Sequence, residues 1–150
     1  MTIIACVDLR MGLSFNGKRQ TRDKLVVKHI LNNCDPKLGL TVTPRSGRYI
    51  MDSMKSLDEE LTIPLHIVPE LTPENTQLSD VFIETGTPDS ISELLDMADH
   101  VILYVWNTTY LYTEHFTDIQ NQSVWTLTHA ELMEGSSHDE VTIQLYERNE

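Results

Sequence analysis

The basic residues are where chemistry is most visible in this chain. Lys18, Arg19 and Arg22 crowd a loop that follows TIIACVD and LRMGLSFNG, and Arg45 and Arg48 flank Ser46 further on. Guanidinium forks match the oxygens of phosphate and carboxylate groups, so two such clusters point to an anionic ligand. Ion pairing with the chain's own carboxylates accounts for the same residues, and both readings stand at this level. Metal chemistry has no comparable signal. His29, His66, His100, His115, His129 and His138 are scattered singly, with no pair at ligand spacing. Ser136-Ser137-His138-Asp139 holds the letters of a hydrolytic triad. Contiguous residues do not reach the mutual geometry of a triad, so this run reads as a turn with polar caps. Glu114-His115 reads as solvated loop, and Cys6 and Cys34, without CxxC spacing, read as free thiols in a reducing cytoplasm.

A chain of 150 residues with 40% hydrophobic content fits one domain, 1–150, with a real core. Its net charge of −12 hides a partition. Residues 1–55 carry ten basic side chains against four acidic ones, a balance of +6, whereas residues 56–150 carry one against nineteen, a balance of −18. The asymmetry favours a small anionic partner near the first third. It disfavours long nucleic acid, which the acidic remainder repels. No apolar run approaches the ~20 residues of a membrane span. The start shows no basic region followed by a cleavage site, so the expectation is a cytoplasmic protein.

The elements that must position these residues alternate in type. TIIACVD (2–8), LGLTVT (38–43), VFIE (81–84) and HVILYVW (100–106) read as buried strands, and LTIPLHIV (61–68), with Pro64, as an edge or bulged one. Residues 22–33 place Leu25, Val26, His29 and Ile30 on one helical face. Ser46 is the expected cap of a second helix bearing Ile50, Met54 and Leu57. Thr87-Pro88-Asp89 is a strong start signal for a third. VWTLTHAEL (124–132) and VTIQLYER (141–148) end the chain as strands without an intervening helix. The order implies α/β architecture: one mostly parallel sheet extended by antiparallel C-terminal strands, with flanking helices. Tyr104, Tyr110 and Trp106 read as core or interface aromatics, and Tyr110 to Tyr112 as a sticky edge suited to a homodimer.

That order, with TIIACVDLRMGLSFNG at one end and Ser123-Val124-Trp125, Ser137-His138 and LYERN at the other, resembles the dihydrofolate reductase family in shortened, divergent form. The resemblance covers most of the chain and is weakest over 50–80, where one strand-helix unit is missing. It implies a reductase-like fold whose helix starts open onto a ligand cleft, and a catalytic acid at Asp23, where an N-cap role at the helix start explains the residue equally well. The ending also resembles short bacterial chains labelled ribonuclease Z, but that enzyme's HxHxDH motif is absent.

The departures bear on function. Lys18-Arg19-Gln20-Thr21 replaces the family's Pro-Trp, Pro44-Arg45-Ser46 only approximates its phosphate-binding motif, and Glu84-Thr85-Gly86 replaces its double glycine, leaving Gly86. A carboxylate beside a pyrophosphate repels it, so the cofactor site looks damaged. The expectation is therefore a reductase-fold protein without classical reductase chemistry and with no cofactor. It binds a small, nucleotide-like anion through Arg19, Arg22, Arg45, Ser46 and Gly86. The alternative is an NADPH-dependent reductase of a pteridine or pyrimidine, with Asp23 as proton donor.

Overall fold

The computed structural model describes residues 1–150. A seven-stranded sheet runs through the molecule. Five of its strands are parallel: β1 (Thr2–Val7), β4 (Leu40–Val42), β5 (Leu65–Ile67), β6 (Asp80–Ile83) and β7 (His100–Val105). β10 (Val141–Arg148) pairs antiparallel with β7, and β9 (Trp125–Met133) pairs antiparallel with β10 at the edge. The order is β5-β4-β6-β1-β7-β10-β9. All four expected central strands are present in the expected directions. The run with Pro64 supplies the other edge, where a missing N–H costs nothing in the ladder.

Alternation along β1 shows why the sheet is buried on both faces. Ile3, Ala5 and Val7 point to one side and pack with Val81, Ile83, Leu103 and the Ile91, Leu94, Leu95 stripe of helix α3 (Pro88–Leu95). Ile4 points to the other, where it meets Phe82, Tyr104 and helices α1 (Lys24–Asn32) and α2 (Pro44–Ser56). The α1 stripe is turned from the expected face: Val26, Val27, Ile30 and Leu31 are buried, while Leu25 and His29 are only half-buried. His29 lies at the margin, its Nδ1 2.7 Å from the Tyr104 hydroxyl.

Parallel neighbours need crossovers. β1 to β4 crosses through α1, β4 to β5 through α2, and β6 to β7 through α3. The β5-to-β6 connection, residues 68–79, contains turns and no helix. A small sheet, β3-β2-β8, lies beyond the end of β1 and joins β2 (Gly12–Phe15), β3 (Lys18–Arg19) and β8 (Glu114–His115). Its β2–β3 hairpin turns through Asn16 and Gly17, whose φ angles of 51° and 75° suit the tight turns that match strand twist. The hairpin presents Lys18 and Arg19 above the C-terminal ends of β4 and β6.

Candidate functional site

Asp8 follows β1 directly and organises the loop it opens. Its buried carboxylate accepts from the backbone N–H groups of Arg10 and Gly12, both at 2.8 Å, from Tyr110 N at 3.0 Å and from Gln20 Nε2 at 3.1 Å. Burial raises its pKa, but these donors outweigh it and hold the group ionised below the usual range. The glycine that follows is required: a Cβ at Gly12 would stand 2.7 Å from both Asp8 Oδ2 and Gln20 Nε2.

Asp23 is the N-cap of α1, accepting from Leu25 N and Val26 N. It does more than cap. Oδ1 also accepts from Ser136 N at 2.9 Å and Ser136 Oγ at 3.0 Å, and Oδ2 from Ser137 N at 2.9 Å and His138 Nδ1 at 3.0 Å. Burial pushes the carboxyl up, yet the Ser136, His138, Ser137 and Val26 donors outweigh it and hold it at about 2. A side chain at position 135 would overlap Asp23 Oδ2, so Gly135 is what lets the loop close over the carboxylate.

The Ser-Ser-His run is thus a turn, as expected, and its serines make no triad with the adjacent histidine. Its partner lies 115 positions away in sequence. On the far side of the ring, His138 Nε2 is 2.9 Å from the Tyr110 hydroxyl and 3.4 Å from Thr21 Oγ1, and Trp106 stacks on the imidazole at 4.4 Å. The His138 side chain is 7% exposed, so this Asp23–His138–Tyr110 chain pins three loops together rather than facing an open cavity. Nothing in the local sequence signals it.

Arg19 and Ser46 both turn to one group. Arg19 Nε and Nη2 donate to the two carboxylate oxygens of Glu84, each at 2.8 Å, and Ser46 Oγ donates to Glu84 Oε1 at 2.7 Å. Both ion-pair side chains are 12% exposed. Arg19 also covers the Tyr49 ring at 4.1 Å. The carboxylate after β6 therefore takes up two of the residues expected to hold a ligand. Ser46 is not the cap of α2; Thr43 is, accepting from Ser46 N, with Pro44 in the first helical turn.

The remaining cations behave differently. Lys18, Arg22, Arg45 and Arg48 line one cleft of about 420 Å³ with Arg19, Tyr49 and Asp52. None of the four forms an ion pair with a carboxylate; Arg45 donates to the Gly17 carbonyl at 2.7 Å. Arg22 and Arg45 thus lie together as expected from the sequence, and Lys18 and Arg48 join them. Gly86 lies apart, in the hollow at the start of α3, where a Cβ would press on Ile91 and Ser90.

A pyrophosphate fits the end of β6 poorly. Glu84 occupies the space with a charge, Thr85 is exposed beside it, and the first turn of α3 carries its own carboxylate at Asp89. The central cavity between Cys6, Arg19, Tyr49 and Trp106 is closed down to about 10 Å³, room for a single water. It holds Gln20, whose Oε1 is buried without a partner. The thiols are quiescent: burial pushes Cys6 well up and Cys34 to about 12. No three His, Cys, Asp or Glu side chains are grouped as metal ligands, and no helix is long and apolar enough to cross a membrane.

No protein-family model matches this chain, and no curated protein matches it in sequence. Among solved structures it is similar to dihydrofolate reductase from Enterococcus faecalis, solved as a complex with NADP(H) and RAB-propyl. The identity is 14%, the match covers 99% of this chain and 96% of that one, and the TM-score is 0.63. The ribonuclease Z resemblance gains no support from these matches. A likeness at this level of identity speaks for architecture, and with the sheet order it makes the chain a protein of dihydrofolate reductase-like fold.

Proposed function

We propose that this reductase-fold protein binds a small anionic, nucleotide-like ligand in the cleft of Lys18, Arg22, Arg45 and Arg48, without classical reductase chemistry. One observation carries the reading. In a chain with 23 acidic and 11 basic residues, four cations share one cleft and none pairs with a carboxylate. Like charges held together repel, and an acidic protein has many carboxylates available to relieve them. An exogenous anion relieves them instead.

The NADP(H) held by the Enterococcus enzyme favours the second reading, a nicotinamide-dependent reductase with Asp23 as proton donor. The surroundings of Asp23 weigh against it. A general acid works best with a pKa near the operating pH, and this carboxylate is ionised down to about 2 with both oxygens saturated. Glu84 at the end of β6 weighs against the dinucleotide. Phosphate or nucleotide titration of the Arg45→Ala variant tests the first reading. Binding weakens on substitution, and the difference shrinks at high salt because part of the attraction is screened. Equal binding by both proteins would remove the cleft from consideration.

A further inference from the structure

The cationic cleft does not end at Asp52. A second hollow of about 370 Å³ continues from it between α1 and α2 and shares Arg22, Tyr49 and Asp52 with the first. Each hollow lies in the size range of small-molecule sites, about 300–1,000 Å³. Their walls differ in chemistry. The first is cationic. The second carries Arg22, Asp23 and Lys24 as well, but adds four serine hydroxyls, those of Ser53, Ser56, Ser136 and Ser137. Two of these are already engaged: Ser136 Oγ donates to Asp23 and accepts from Lys24 N, and Ser56 Oγ accepts from Lys24 Nζ. The Ser53 and Ser137 hydroxyls face no protein partner within hydrogen-bond distance.

Asp52 marks the junction. Its carboxylate forms no ion pair, although it shares the cleft with five basic side chains. A carboxylate placed there accepts from hydroxyl donors and repels a second anionic group, so it limits the ligand to charge at one end only. Tyr49 is the single apolar residue on either wall, and its ring already carries Arg19 at 4.1 Å and Arg22 at 5.8 Å. Tyr49 is itself buried, 6% exposed, so it offers little ring surface for a base to stack on.

Resting on the anion-site reading above, we infer that the ligand is a phosphorylated sugar, with one phosphate among Lys18, Arg45 and Arg48 and its hydroxyls running past Asp52 toward Ser53 and Ser137. A nucleotide enters through its pentose phosphate, and its base adds nothing.

Calorimetry at low ionic strength with inorganic phosphate, ribose 5-phosphate, AMP and pyrophosphate tests this. Ribose 5-phosphate is expected to bind about tenfold more tightly than phosphate, the equivalent of one or two added hydrogen bonds, with AMP no tighter. The Ser53→Ala, Ser137→Ala variant loses that gain and keeps its phosphate affinity. Asp52→Asn weakens ribose 5-phosphate and strengthens pyrophosphate. Ribose 5-phosphate binding no better than phosphate, or AMP binding tenfold better than ribose 5-phosphate, overturns the sugar phosphate and leaves the anion site standing. Failure of all four probes overturns the anion site itself.

Discussion

Asp23 shows how a residue can be located correctly and still change its meaning in three dimensions. Its place at the start of α1 was legible, because a short acid before an apolar helical stripe is a cap signal. Its enclosure by Gly135, Ser136, Ser137 and His138 was not, because nothing in a single sequence ties position 23 to a turn more than a hundred residues away. The depressed pKa has a consequence for stability. A carboxylate whose folded pKa lies below its unfolded value of about 3.9 stabilises the fold above that value, and loses the contribution as pH falls toward 2. The difference corresponds to roughly 2 kcal/mol at neutral pH. Urea unfolding at pH 7 and pH 3 is expected to show the wild type losing stability on acidification. Asp23→Asn is less stable at pH 7 and less sensitive to the change. Parallel pH dependence in the two proteins would exclude Asp23 as the source.

Glu84 is the other instructive residue. The sequence marked it as an obstacle to a phosphate; the structure adds that it is itself the anion held by Arg19 and Ser46. Glu84→Gln removes the charge from a largely buried bidentate pair. It is expected to cost on the order of 1–3 kcal/mol in denaturant unfolding. The same change frees Arg19 beside the cationic cleft, so phosphate affinity rises as stability falls. A variant losing both would show that Glu84 supports the cleft rather than competing for it.

At the scale of elements, the central parallel strands were legible because they are short apolar runs bounded by Asp, Pro or Gly, whereas the short strands of the small sheet were not, and Glu114-His115, read as loop, forms β8. The helix faces were less so. One rotation step separates the expected α1 stripe from the observed one, since Leu25, Val26 and Val27 are all apolar and only packing against the sheet selects among them. The true α2 cap has a sequence signal of its own. Thr43-Pro44-Arg45-Ser46 repeats the pattern of Thr87-Pro88-Asp89-Ser90, and each Thr caps its helix by accepting from the N–H of the Ser three residues on. Thr43→Ala is expected to cost about 1 kcal/mol in urea unfolding and to loosen the first turn of α2, which carries Arg45 and Ser46. An unchanged midpoint would place the control of α2 in its packing against β4 and β5.

The whole molecule keeps its charges apart. The basic first third supplies both helix starts that border the cleft, and the acidic remainder supplies one largely buried partner, Glu84, while Glu59 and Asp99 pair with Lys28 and the N-terminus nearer the surface. Composition showed that separation, but the gathering of Lys18, Arg22, Arg45 and Arg48 into one cleft depends on the β2–β3 hairpin folding over the end of β4. The family resemblance in the sequence is weakest over 50–80, and within that stretch parallel β5 and β6 are joined through residues 68–79 without a helix. Residue, element and molecule meet in the proposal made above: in a reductase-like fold, Glu84 occupies the end of β6 and a small anion binds in the cationic cleft. Calorimetric titration of the unaltered protein with NADPH and with inorganic phosphate, side by side at low ionic strength, tests that claim most directly. The expected result is saturable phosphate binding that weakens with salt, and NADPH binding no tighter than its phosphates alone provide. Tight saturable NADPH binding without a phosphate response would contradict it.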